Sequence, residues 1–265
     1  MSVESYLANV KRMVAWAIRD LTKIMSRVDL SDPDAARDLL QAEMPSMIAV
    51  WGEAAATIAA EYFEELIDAP AVLAEPVAAE AVESMVGWAV GPLYGKLVPR
   101  TDGEGNLVYD DDGEPVADKI PPDPAKARRN LEGGLQRHVM NTGRDTVKLS
   151  AGNAGVAWAR VLQGETNCAF CVVMSSRGMV YESAESAGAS STSSVDPRIQ
   201  LGDRYHDSCD CAVIPCRDES DYPSGYDPSV YYEQYMAARR NADDMVLKGG
   251  DNNILHQMRK MYGMH

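Results

Sequence analysis

The chain has 265 residues, 46 % of them hydrophobic, and carries 40 Asp and Glu against 25 Lys and Arg, a formal net charge of −15. That length suffices for one large or two modest domains with a packed core. The charge argues against broad contact with nucleic-acid phosphates, which needs clustered Lys and Arg, and favours solubility or docking onto basic protein surfaces. No stretch approaches the roughly eighteen uninterrupted apolar residues of a membrane span, and Met1-Ser2-Val3-Glu4 lacks the basic opening of a signal peptide. The expectation is a cytosolic chain without membrane contact, in which cysteines bind metal more readily than they pair as disulfides.

Leu7, Val10, Val14, Ala17, Leu21, Ile24 and Val28 recur at alternating steps of three and four, the apolar seam of a first helix. Ser31-Asp32-Pro33-Asp34 breaks it and caps a second helix running from about Asp34 to Ile67. Leu40, Met44, Met47, Trp51, Ala54, Ile58, Tyr62 and Leu66 share its face, and Pro45 is expected to kink or split it near Met44. A third helix is predicted over Val77 to Leu97, weakened late by Gly87, Gly91 and Pro92.

Residues 98–124 differ in kind, with Asp-Gly pairs at 102–103 and 112–113 and prolines at 99, 115, 121, 122 and 124. Leu107-Val108-Tyr109 reads as one short strand between turns. Asp110-Asp111-Asp112-Gly113 invites a calcium loop, but Val108 stands where the first ligand of that motif belongs, so a solvated acidic turn is expected. A fourth helix spans Pro124 to about Leu149, with Arg128, Arg129, Arg137 and Arg144 read as a solvated basic face and His138 as a partly buried polar residue. Beyond it, Val156–Leu162 looks like a strand, Met179-Val180-Tyr181 like another, Ser183–Ser194 like a loop, and Ala212–Pro215 like a short strand. Tyr231, Tyr232, Tyr235 and Met236 lie on a helix to about Lys248, followed by a Gly249-Gly250 break and a final short helix.

All five cysteines fall between positions 168 and 216. Cys168 and Cys171 form one C-x-x-C knot, and His206, Cys209 and Cys211 a second. Zinc takes four thiolate or imidazole ligands in a tetrahedron, and two such clusters can close one. Cys168, Cys171 and His206 would be joined by Cys209 or Cys211; alternation in an extended chain points both the same way, with a slight lean to Cys211 because it adjoins the following strand. A closed ligand set leaves no position for water, so the zinc would be structural. Unligated thiols and redox or disulfide use are the alternatives, though a redox C-x-x-C normally opens a helix, a pattern not read here. A Cys–His nucleophile or Ser176 beside Arg177 lacks an orienting acid at recognisable spacing, and Cys216 is a spare ligand or a buried thiol.

The run Cys-Ala-Phe-Cys-x-x-Met-x-Ser-Arg-Gly-x-Val-Tyr at 168–181, with Tyr-His-Asp-x-Cys-Asp-Cys-x-Val-x-Pro at 205–215, resembles the C-terminal domain of Mu protein F-like (MuF-like) minor head proteins of tailed actinobacterial phages. The likeness covers roughly residues 125–216, and Asp207 and Asp210 stand where that family has Pro and Arg. It implies a structural head-morphogenesis protein inside the virion head near the portal. Such a protein would contact portal, capsid or scaffold proteins and assist assembly, DNA packaging or DNA delivery; a capsid maturation protease is the alternative. Net charge does not favour DNA contact, although the Arg-bearing helix could supply it. The expected fold is α+β: a helical part over 1–97, an acidic linker or hairpin over 98–124, a MuF-like domain with the metal knuckle over 125–220, and a helical tail over 221–265.

Overall fold

The computed structural model describes residues 1–163, 167–180, 209, 211–247 and 253–264. Within them seven helices and two small antiparallel sheets make an α+β protein whose N-terminal half is helical. Helix α1 spans Val3–Met25 and α2 Pro33–Ile67; Ser2 and Asp32 cap them by accepting the backbone N–H of Ser5 and Ala35. Contrary to expectation, α2 runs unbroken through Pro45. The proline costs a backbone hydrogen bond, on the order of 3 kcal/mol in an isolated helix. Met44 and Ile48, on either side of it, are fully buried in the same core and hold the two halves in line.

Helix α3 is shorter than predicted, Ala79–Ala89, and Gly91–Tyr94 follows as one turn of 3-10 helix. Gly95 then turns the chain at φ 63°, where a Cβ would lie 2.8 Å from the Ile120 carbonyl. The next segment enters strand β1, Lys96–Pro99, antiparallel to β2, Ala117–Ile120. The single strand expected at Leu107–Tyr109 is instead the middle of a three-way pairing. Arg100 N–H donates to the Val116 carbonyl, Val116 N–H to Val108, and Val108 N–H to Arg100. Asp102 and Asp110, eight positions apart, make equivalent turns: each carboxylate accepts the N–H groups two and four residues on. Asp110–Gly113 is therefore an acidic turn organised by backbone donors. The β1–β2 arm packs little against the rest of the protein.

Helix α4, Pro124–Ala154, is the central element and packs on α1, α2 and α3. Its predicted basic face is only partly solvated. Arg128 pairs with Glu132 at the surface, whereas Arg144 is 2 % exposed. Thr142, Thr146 and Ser150, one turn apart, each donate a hydroxyl to the carbonyl four residues back. Thr146 and Ser150 also accept the N–H groups of Ala74 and Val72 at 3.0 and 2.8 Å. This ladder pins the irregular segment between α2 and α3 along α4 and satisfies donors that have no regular secondary structure.

Strand β3, Ala157–Val161, pairs with β4, Ala212–Cys216, in the register Ala157↔Cys216 to Val161↔Ala212. Both strands match the sequence reading. Met179 and Val180 lie in no strand; Tyr181 and Ser183–Ser194 fall outside the described residues. Helix α5, Ala169–Ser175, packs against α6, Pro228–Leu247, and α7, Ile254–Tyr262, through Val172, Ala238 and Met258. One core joins α1, α2, α3 and the first half of α4; a second joins the ends of α1, α2 and α4 to β3, β4 and the cysteines.

Burial, with Arg137 alongside, pushes His138 down to about 4. The unfolded chain takes up this proton near pH 6.5, and the folded chain resists it until about pH 4. Stability is therefore lost as pH falls through that window, by an amount on the order of 3 kcal/mol. The variant His138→Gln is expected to flatten this part of the pH–stability curve, read by denaturant titration at pH 7.5, 6, 5 and 4 against the parent.

Candidate metal centre

Cys168 caps α5, its sulfur accepting the Cys171 N–H at 3.3 Å. The C-x-x-C pair thus opens a helix, a pattern that the sequence reading did not find. The surroundings still differ from a redox fold, because β3 and β4 form a two-stranded antiparallel sheet. Cys211 directly precedes β4, and Cys209 lies two residues earlier, so both sulfurs reach one side of the chain as alternation requires.

The sulfurs of Cys171, Cys209 and Cys211 converge. Separations are 3.2 Å for Cys209–Cys211, 3.4 Å for Cys171–Cys209 and 3.9 Å for Cys171–Cys211. A tetrahedral zinc with bonds near 2.3 Å sets its sulfurs about 3.8 Å apart, so these spacings bracket a thiolate site. The structure draws both Cys209 and Cys211 into the cluster. Cys168 stands against Cys171, and all four thiols are buried. His206 lies outside the described residues. Cys216 is buried in β4 and donates weakly to the Ile214 carbonyl; burial pushes its thiol up to about 12. His138, buried on α4, is not a member of this thiol group.

Charge within the cluster is uneven. Cys211 is held well below the ordinary thiol range by hydrogen bonds from Cys171 and Cys209, aided by the Arg144 and Arg160 guanidiniums, against full burial. Cys171 is driven up by its contacts with Cys168, Cys209 and Cys211 and by burial. Cys209 feels a lowering bond with Cys171, but its bond to Cys211 and burial push it up to about 12. Of the three thiols, Cys211 is thus the one whose ionisation its surroundings favour.

Arg144 is the residue that sequence reasoning missed. Its Nε and Nη2 donate to the Cys211 carbonyl at 2.9 and 2.6 Å, and Nη2 also donates to the Cys209 carbonyl at 2.9 Å. Nη1 donates to Asn141 Oδ1. From the same helix, Gln136 donates its side-chain amide to the Cys209 carbonyl at 3.3 Å. One available signal was spacing: Met140, Arg144, Val147 and Ala151 step along α4 in threes and fours, which puts the arginine on an apolar stripe. Arg160, also buried, lies on β3 with its guanidinium carbon 5.9 Å from the centre of the Phe170 ring.

The flanking motif has a structural explanation. Gly178 adopts φ 61°, and a Cβ there would sit 2.8 Å from the Tyr222 hydroxyl. That hydroxyl accepts the Met179 N–H at 3.0 Å, and Tyr226 donates to the Ser175 carbonyl at 2.7 Å. The end of α5 is thereby fastened to residues 222–226, next to a turn in which Asp221 accepts the backbone and guanidinium of Arg217.

Fold and site together define a helical scaffold with a buried cluster of cysteines at the junction of its central helix and a small two-stranded sheet. The chain belongs to the VG15 protein family, whose sequence model matches residues 1–238. It is similar to the Gene 15 protein of Mycobacterium phage L5, at 30 % identity over 35 % of this chain and 40 % of that protein. The Gene 15 protein of Mycobacterium phage D29 is 28 % identical over 35 % of this chain and 39 % of its own length. The matched part thus spans about two-fifths of these curated relatives. No solved structure matches. The chain is a phage protein, and among the described residues no helix is long and apolar enough to cross a membrane.

Replacing Arg144 with Met should leave the Cys209 and Cys211 carbonyls buried without their donor and cost about 3 kcal/mol of stability. Arg144→Lys should recover little, because a single ammonium cannot reproduce the planar fork. Denaturant unfolding of both variants beside the parent checks this; equal stability of parent and Arg144→Met would show that the fork contributes nothing.

Proposed function

We propose that this protein is a structural minor head protein of a tailed phage, held inside the head near the portal, whose C-terminal part is clamped by one zinc ion. The observation that carries the reading is the buried convergence of Cys171, Cys209 and Cys211. These are the cysteines of the paired motif that resembles MuF-like head proteins, and they occur in a chain that belongs to a phage protein family. Cys168 or His206 would supply the fourth ligand. A set closed in this way binds metal for rigidity rather than for Lewis-acid chemistry.

Portal, capsid or scaffold proteins are the proposed partners, through which the protein would assist procapsid assembly, DNA packaging or delivery. DNA contact is a weaker part of the reading, since Arg144 serves the buried cluster and Arg128 is paired. The capsid maturation protease alternative gains no support from the site: the thiols are buried, and the Ser176 hydroxyl donates to the Val173 carbonyl at 2.7 Å.

Two measurements test the two halves of the proposal separately. Purified protein is expected to contain about one zinc per chain, and chelation or Cys211→Ser should lower its melting temperature; metal-free protein of unchanged stability would end the clamp. Mass spectrometry of purified virions is expected to find the intact chain in low copy; its consistent absence from virions that contain the portal would end the head-protein reading.

A further inference from the structure

The first cysteine knot is built round the Cys168 sulfur. It accepts the backbone N–H of Cys171 at 3.3 Å and stands against the Cys171 sulfur. A metal-bound thiolate keeps lone pairs for such donors, and the donors fix its direction. Cys171 in turn belongs to the close trio with Cys209 and Cys211. A trio supplies three ligands, and zinc takes four. Among the described residues, Cys168 is the thiol that touches the trio from outside. Cys216 instead turns to the Ile214 carbonyl within β4, and His206 lies outside the described residues.

Charge separates the two candidate ligand sets. Zinc with three thiolates and an imidazole carries one net negative charge; with four thiolates it carries two, four charges against the two of the ion. A buried charge is tolerated where an opposite one lies beside it. Two buried guanidiniums lie beside this centre. Arg144, 2 % exposed, brings Nη2 to 4.0 Å from the Cys211 sulfur while holding the Cys209 and Cys211 carbonyls. Arg160, 1 % exposed, stands on β3 opposite Val213, which is next but one to Cys211. Its guanidinium carbon is 5.9 Å from the centre of the Phe170 ring, and Phe170 lies in sequence between Cys168 and Cys171. Arg160 therefore neighbours both knots. The charges of both arginines act on Cys211.

We infer, building on the zinc clamp proposed above, that Cys168 is its fourth ligand and that the centre is all-sulfur, its two negative charges offset by Arg144 and Arg160. The arginines touch no metal; they position the second knot and match the charge of the centre. Arginine suits this task because it keeps its charge when buried.

The test loads the full chain with cobalt(II) in place of zinc and reads its absorption. Four sulfurs give stronger sulfur-to-cobalt charge transfer, and ligand-field bands at longer wavelength, than three sulfurs with one nitrogen. The parent is expected to show the four-sulfur spectrum. His206→Gln should leave that spectrum unchanged, together with the zinc affinity measured by competition with a chromogenic chelator. Cys168→Ser should lose the four-sulfur signature and bind zinc at least tenfold more weakly. Arg160→Gln should weaken zinc binding on the order of tenfold with the four-sulfur spectrum retained. Arg160→Lys, which keeps the charge, should recover most of that loss. Cadmium NMR of the unsubstituted protein reads the same ligand set without any variant, an all-sulfur site resonating downfield of one that contains nitrogen. A cobalt or cadmium signal of three sulfurs and one nitrogen, a changed spectrum in His206→Gln, or parent-like zinc affinity in Arg160→Gln would each overturn the inference while leaving a metal clamp in place. Protein that takes up neither zinc nor cobalt would overturn the clamp itself, and this ligand set with it.

Discussion

The C-terminal part of this protein depends on one buried guanidinium. Arg144 projects from the middle of the central helix and takes the carbonyls of Cys209 and Cys211 in a single planar fork. A charged group that is 2 % exposed is tolerated only when its donors and its charge are both answered. The carbonyls and Asn141 answer the donors, and the Cys211 thiol, held below its ordinary range, lies beside the charge. Removing either side leaves the other stranded in a medium of low dielectric. The arginine and the cysteines are therefore one unit, although the helix and the Cys209–Cys211 segment lie far apart in sequence.

That unit sits where the two cores meet. Helix α4 gives its first half to the helical core and its second half, with Val147 and Ala151, to the core containing β3, β4 and the thiols. Helices α1 and α2 cross the same boundary, α1 through Leu7 and Val14 and α2 through Leu40 and Phe63. With three helices common to both, loosening of one core is felt in the other.

Much of this was legible in the sequence where the signal is local. Three-and-four spacing located α1, α2 and α4, and alternation located β3 and β4. The C-x-C pattern brought Cys209 and Cys211 to one side, which the spacing alone could show without choosing between them. What escaped is non-local or compensated. Pro45 carries a local break signal that burial of Met44 and Ile48 overrides. The pairing of β1 with β2 joins residues about twenty positions apart with no alternating pattern to announce it. Arg144 reads as a surface cation because arginine usually is one; its role appears only when the chain brings two carbonyls to it. The helix opened by Cys168 is too short to show a period.

The ring of three hydrogen bonds among Arg100, Val108 and Val116 has a further consequence. At that level every strand of the arm donates to one neighbour and accepts from the other, so no strand is left with an open row of backbone groups. An exposed sheet normally risks recruiting stray strands, its own kind included, and proteins blunt that risk with charge, proline or closure. Here the eight-residue spacing of Asp102 and Asp110 folds the arm into a small closed prism, and Pro99 and Pro115 remove two further donors. Such an arm can stand in solvent at high local concentration with its backbone sealed against fibrous aggregation.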